Sequence, residues 1–112
     1  MPRVDRDHDS DERLWAAIAE PSRRRLLDLL LARGEATPTV LAAELPFTRQ
    51  AVAKHLAVLA GAGLVEGRRQ GREVRYAVRP ERLEAAARAM AGVAQRWDSR
   101  LRAIRQGTSP PA

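Results

Sequence analysis

The chain has 112 residues, a length for one domain that buries only a modest share of its surface on folding. It contains no cysteine, which excludes disulfides, thiol redox switching and thiolate metal sites, and only 4% of residues are aromatic, so Leu, Ala, Val and Ile must build the core. The formal charge of +6 is unevenly spread: residues 1–12 carry five acids against Arg3 and Arg6, while residues 46–79 carry seven bases against Glu66 and Glu73.

A basic segment of that kind is an electrostatic footprint for phosphate. A general abundance of arginine gives the same count, since 19 of the 20 bases are Arg. No apolar run approaches the roughly 20 residues of a membrane span, and the charged N-terminus lacks a signal-peptide core. The expectation is a soluble cytoplasmic protein.

Residues 1–9 read as a disordered charged tail. Ser10 suits an N-cap, with Asp11 and Glu12 in the first turn, where acids favour the helix dipole. Leu14, Trp15 and Ile18 form an apolar stripe in a helix that should stop near Glu20, because Pro21 restrains the residue before it. Pro21 opens a second helix with Leu26, Leu27, Leu30 and Leu31 toward a core and Gly34 as C-cap. A short break over Glu35–Thr37 leads to a third helix, capped by Thr37 with Pro38 behind it, that ends before Pro46.

Thr48 caps the fourth helix. Val52, Leu56 and Leu59 make its buried stripe, and Arg49, Gln50, Ala53, Lys54 and Ala57 lie away from it. Two helices joined by a tight turn at Phe47 give the outline of a helix-turn-helix. Val74, Tyr76 and Val78 then alternate with Arg75 and Ala77 as in a half-buried strand, and Gln70-Gly71 is a fair two-residue hairpin turn. The hairpin tip carries Arg68, Arg69 and Arg72, which makes it a cationic wing. Pro80 opens a last helix in which Leu83, Ala87, Met90, Ala94, Trp97, Leu101 and Ile104 are spaced 4, 3, 4, 3, 4 and 3. Such a seam, about 33 Å long, exceeds what a small winged domain buries alone and predicts pairing with a second copy. Packing on the domain's own first helix is the alternative.

Ala19-Glu20-Pro21-Ser22-Arg23-Arg24-Arg25-Leu26-Leu27 and Leu41-Ala42-Ala43-Glu44-Leu45 resemble segments of a known family, and three further stretches extend the likeness. These are Thr48 to Leu56 with Leu59, Ala62-Gly63-Leu64-Val65, and Gly71-Arg72 before Tyr76. Over roughly Leu14 to Leu101 the chain is similar to ArsR-type winged helix-turn-helix repressors, especially the subgroup with a long Trp-containing last helix. The resemblance implies a mainly α fold of about five helices plus a two-stranded wing over residues 10–105, with 106–112 a disordered tail. It also implies a homodimer built by the first and last helices, here Leu14, Trp15 and Ile18 with the Leu83–Ile104 seam. The implied function is a bacterial repressor that binds a palindromic operator near its own promoter and is released by an inducing signal. Founding members sense metals through cysteines before the recognition helix, or through His and acids on the last helix. This chain reads VLAAEL at the first place and has no histidine at the second, so the resemblance supplies no inducer and no cofactor.

The residues expected at DNA are Thr48, Arg49, Gln50, Ala53, Lys54 and His55 on the recognition helix and Arg68, Arg69, Gln70 and Arg72 on the wing. Arg49 suits guanine and Gln50 adenine, each by a paired contact, while the wing arginines suit the backbone or a narrow minor groove. His55 stands beside the apolar stripe, and two roles are open: a donor to phosphate, as the family's histidine here suggests, or a packed boundary residue. Asp7, His8, Asp9 and Asp11 are competent metal ligands at a spacing that fits no defined loop. Ala86, Ala87, Ala91 and Ala94 beside Met90 and Trp97 either leave an apolar pocket for a small-molecule inducer or let two helices approach closely. No catalytic constellation stands out, so the chain does not read as an enzyme. Two other readings are a winged-helix protein-interaction module and a nonspecific nucleoid-type DNA coater.

Overall fold

The computed structural model describes residues 12–107, in two compact units that divide after Arg82. The Ser10 cap, the residues 1–9 tail, the Asp7–Asp11 ligand set and residues 108–112 lie outside the described residues. The first unit begins with helix α1 (residues 12–19), followed by α2 (Pro21–Arg33), β1 (Glu35–Ala36), α3 (Pro38–Glu44), α4 (Arg49–Gly61), β2 (Val65–Gln70) and β3 (Glu73–Val78). Helix α5 (Pro80–Arg105) opens in this unit and forms the second from Leu83 onward.

Glu20 is extended before Pro21, and the chain turns there from α1 into α2. Arg23 donates from Nε to the Ala17 carbonyl at 2.6 Å and from Nη2 to Ala16 at 2.9 Å, and Arg24 donates to Ile18 and Ala19. The carbonyls of the last turn of α1 have no partner within their own helix, so two cations at its negative end satisfy both hydrogen bonding and dipole. Gly34 ends α2 at φ +90°, with its N–H donating to Leu30 O at 2.8 Å. Thr37 caps α3 by accepting from the Val40 N–H at 3.3 Å, and Pro38 fills N1.

Helix α4 ends in a Schellman motif. The Leu64 N–H donates to Leu59 O and the Gly63 N–H to Ala60 O, both at 3.0 Å, with Gly63 at φ +80°. A Cβ at Gly63 would stand 3.0 Å from the Arg82 guanidinium, so left-handed backbone and close approach both require glycine there. Leu59 and Leu64, the hydrophobic pair of that motif, are fully buried.

Leu26, Leu30, Leu41, Val52, Leu56, Leu59 and Leu64 are all inaccessible to solvent and come from α2, α3, α4 and the link to β2. Each fully buried aliphatic side chain contributes about 1.5–3 kcal/mol of transfer free energy. Helix α2 and the two helices of the helix-turn-helix, α3 and α4, are therefore clamped by one aliphatic cluster. Leu31 departs from the expected core: it is 56% exposed. At 100° per residue it lies past Leu27 on the outer edge of the α2 stripe, whose centre falls between Leu26 and Leu27.

The sheet is antiparallel in the order β1-β3-β2. The break expected after Gly34 contains β1, which pairs Glu35 with Ala77 and Ala36 with Tyr76. This makes β3 a central strand. Gln70 pairs with Glu73, so the two loop residues of the wing are Gly71-Arg72, one position later than the expected Gln70-Gly71. Gly71 has φ +63° while Arg72 has no positive φ, the pattern of a type II′ turn, which places glycine first. Gly67 lies opposite Tyr76, where a Cβ would stand 2.8 Å from Val74 Cγ1 and 3.0 Å from Tyr76 Cε1. Val74 and the Tyr76 ring thus occupy the space that a side chain at Gly67 would need.

The second unit is the body of α5 and the turn at Gly107. Arg102 and Asp98 pair at 2.8 Å, and Arg102 and Arg105 sit in the last turn, where cations favour the dipole. Met90, Trp97, Leu101 and Ile104 are 41%, 66%, 49% and 60% exposed, so the apolar seam is open along much of its length.

Candidate nucleic-acid interface

Thr48 sits at the N-terminus of α4 with extended backbone, and its Oγ1 accepts from the Ala51 N–H at 3.0 Å. The cap fixes where the helix begins and hence which side chains occupy its first turn. Arg49, Gln50, Ala53 and Lys54 are all exposed, on the side of α4 away from the buried Val52, Leu56 and Leu59. No acid stands in the first turn; the N1 residue is Arg49, a cation at the positive end of the helix dipole. Neither Arg49 nor Lys54 has an ion-pair partner among the described residues. That first turn is electrostatically unsatisfied and is suited to an anion supplied from outside.

His55 differs from its neighbours. Its side chain is 19% exposed, Nε2 stands 3.8 Å from Glu20 Oε2, and its ring meets Phe47 edge-on at 5.9 Å between centroids. Nδ1 is buried without a hydrogen-bond partner, as is Glu20 Oε2. Glu20 is the N-cap of α2, accepting from the Ser22 N–H at 3.1 Å. That hydrogen bond holds its carboxyl below the ordinary carboxylate value; burial opposes the shift and His55 nearby adds to it. His55 is thus packed on its Phe47 and Glu20 sides.

On the wing, Arg68, Arg69, Gln70 and Arg72 are exposed. Arg68 reaches Glu35 of β1 at 3.8 Å, whereas Arg69 and Arg72 have no acidic partner among the described residues. The ten expected residues therefore divide into an open, uncompensated set on α4 and the wing tip, a partly neutralised Arg68 and an inward-facing His55. Arg25 was not anticipated. It is exposed on α2, with Cζ 5.9 Å above the Phe47 ring, a contact between residues 22 positions apart that no local pattern encodes. Among the described residues no three His, Cys, Asp or Glu side chains stand close enough to hold a metal ion, and no helix is long and apolar enough to cross a membrane.

Comparison with known proteins gives a consistent picture. A helix-turn-helix domain family matches residues 18–68. The HTH-type transcriptional regulator CmtR of Mycobacterium tuberculosis is 46% identical over 74 residues; the match covers 66% of this chain, and the chain spans 62% of that relative's length. An ArsR-like transcriptional regulator from Rhodococcus sp. RHA1 superposes with TM-score 0.70 at 35% identity, covering 94% of this chain and 98% of its own. A homodimeric winged helix-turn-helix DNA-binding domain from Mycobacterium bovis, described as a possible ArsR-family regulator, superposes with TM-score 0.71 at 26% identity over 85% of this chain and 88% of its own. With the likeness covering nearly the whole of both chains in the Rhodococcus comparison, this chain belongs to the ArsR family of winged helix-turn-helix transcriptional regulators.

Proposed function

We propose that this chain is a cytoplasmic, homodimeric, sequence-specific DNA-binding regulator that represses transcription from a palindromic operator near its own promoter. The observation that carries the reading is the uncompensated N-terminal end of α4, where Arg49 and Gln50 in the first turn and Lys54 in the second stand exposed beside a wing with unpaired Arg69 and Arg72. In this reading Arg49 and Gln50 meet base edges in the major groove, with Ala53 against the groove floor. Thr48, Lys54, Arg68, Arg69, Gln70 and Arg72 hold the backbone and set the register.

Two copies are proposed to pair through Leu14, Trp15 and Ile18 with Leu83, Ala87, Met90, Ala94, Trp97, Leu101 and Ile104. The exposed seam on α5 and the homodimeric relative from Mycobacterium bovis support this. A two-fold dimer presents two reading helices, so the half-sites should lie about one helical turn apart or a multiple of it. The proposed domain spans residues 10–105. An inducer that alters the relative placement of the two winged units would release the operator.

The test is fluorescence anisotropy of the full chain on its own upstream promoter duplex and on a scrambled duplex, across a salt series. A steep salt slope with the promoter preferred by roughly 10³-fold or more is the expected result. Equal affinity for both duplexes would instead indicate a nonspecific DNA coater, and binding to neither would indicate a protein-interaction module.

A further inference from the structure

Three consecutive arginines near the start of α2 have different surroundings. Arg23 and Arg24 are bound to the carbonyls that end α1. Arg25 is exposed, and among the described residues no carboxylate pairs with it. Its guanidinium instead lies over the Phe47 ring, Cζ to centroid 5.9 Å.

Phe47 immediately precedes Thr48, the cap of the reading helix, so the ring that carries Arg25 stands at the entry to α4. The ring is itself held edge-on by His55, which faces Glu20. The nearby carboxylate is thus engaged elsewhere, with the Ser22 N–H and His55, and does not neutralise Arg25. A guanidinium lying over an aromatic face keeps the N–H donors along its edge available, in the fork that fits two oxygens of one phosphate. The platform also restricts a side chain that would otherwise sample many rotamers.

We propose that Arg25 is a phosphate anchor for DNA, held on the Phe47 ring beside the N-terminus of α4. The proposal rests on the DNA-binding reading above and adds a contact from a helix outside both the reading helix and the wing. It also gives His55 a part in DNA binding without touching DNA: as a positioning residue it braces the ring under Arg25.

The experiment measures the full-length Arg25→Ala, Arg25→Lys and Phe47→Leu variants by anisotropy on the promoter and scrambled duplexes across a salt series. Arg33→Ala is the control, because Arg33 is paired with Glu44. Arg25→Ala should weaken both duplexes by the same factor, about eight-fold near 0.1 M salt, and lower the salt slope by about 0.9, the signature of one lost phosphate contact. Arg25→Lys keeps the charge but not the planar fork of donors and should lose less; Phe47→Leu should weaken both duplexes while leaving the charge in place. Thermal melts establish that each variant is folded, and Arg25→Lys is the informative variant if Arg25→Ala is not.

Wild-type affinity and slope in Arg25→Ala would overturn the proposal and leave Arg25 a solvated cation. A loss confined to the promoter, with the slope unchanged, would overturn it in favour of a base contact. Unchanged affinity in Phe47→Leu would refute the platform. If the unmodified protein bound neither duplex, the DNA-binding reading itself would fall, a result distinct from binding that ignores Arg25.

Discussion

Replacing Arg49 with Glu should stabilise the free protein while greatly weakening its binding to the promoter. Arg49 is the N1 residue of α4, exposed, with no acid in the first turn to offset it. A charge near a helix terminus contributes about 0.3–1 kcal/mol, favourable for an anion at the N-terminus and unfavourable for a cation. Reversing the charge therefore swings stability by about 0.6–2 kcal/mol, or about 3–8 °C in Tm for a domain of this size. Arg49→Gln should gain about half of that. In the proposed DNA complex the same change would remove a paired base contact, itself about 1–3 kcal/mol, and set a carboxylate against phosphates. The promoter affinity should fall about 100-fold or more.

Melts at equal protomer concentration, at low and high salt, isolate the effect. Concentration must be held fixed because association shifts Tm, and the gain should shrink as salt screens the charge. A Glu variant that melts lower than the parent, or one that keeps promoter affinity, would refute the claim that this first turn is left uncompensated for an external anion.

Charge reversal at Arg69 and Arg72 should weaken promoter and scrambled duplex alike and lower the salt slope by about 1.8, as for two phosphates, whereas Gln50→Ala should alter sequence preference with little change of slope; identical sequence profiles from the two would refute this division. Gly67→Ala should destabilise the wing by about 1–3 kcal/mol, because its Cβ would meet Val74 Cγ1 at 2.8 Å, and an unchanged melt would show that the hairpin accommodates it. Trp97→Arg should convert a dimer to monomer in sedimentation equilibrium, since Trp97 is the most exposed of the large seam residues at 66%; a persisting dimer would move the interface elsewhere. The folded carboxyl of Glu20 is held below its ordinary value of 4.5, so its stabilisation is present above that pH and is lost as pH falls below it. Glu20→Gln should accordingly flatten the acid limb of a Tm-against-pH curve, and an acid limb identical to that of the parent would be the contrary result.

Much of the fold is written locally in the sequence. Pro21 and Pro38 open helices, Gly34 and Gly63 close them with positive φ, and Thr37 and Thr48 each cap with a side-chain oxygen. These signals depend on one or two residues and survive without tertiary context. Strand β1 is only Glu35–Ala36 and exists through pairing with residues some 40 positions away, so nothing in its own composition marks it. The sequence pattern places the wing turn one residue early, at Gln70-Gly71, because glycine serves either turn position in sequence terms. The backbone sign at Gly71 against Arg72 decides, and with it the pairing of Gln70 with Glu73. Leu31 shows the limit of a stripe argument, which gives the direction of a core but not its width.

The site was harder to read because arginine does every job in this chain. By residue type, nothing separates Arg23 from Arg25, or Arg68 from Arg69. Partners separate them. Arg23 and Arg24 close the end of α1, Arg33 meets Glu44, Arg75 meets Glu73, Arg79 meets Glu81 and Arg68 leans toward Glu35. In the first unit, that leaves Arg49, Lys54, Arg69, Arg72 and Arg25 among the cations without a carboxylate, on α4, on the wing tip and, for Arg25, on α2 over the Phe47 ring of the turn before α4. A charge already paired at home gives up a contact worth up to about 1 kcal/mol before it meets a phosphate, whereas an unpaired one loses only water and counterions. The pairing pattern, part local (Arg75 with Glu73, Arg79 with Glu81) and part set by the fold (Arg33 with Glu44, Arg68 with Glu35), thus turns an undirected excess of positive charge into a surface with a direction. This is also why Arg25, uninformative as one of 19 arginines, becomes a specific expectation once its neighbours are known.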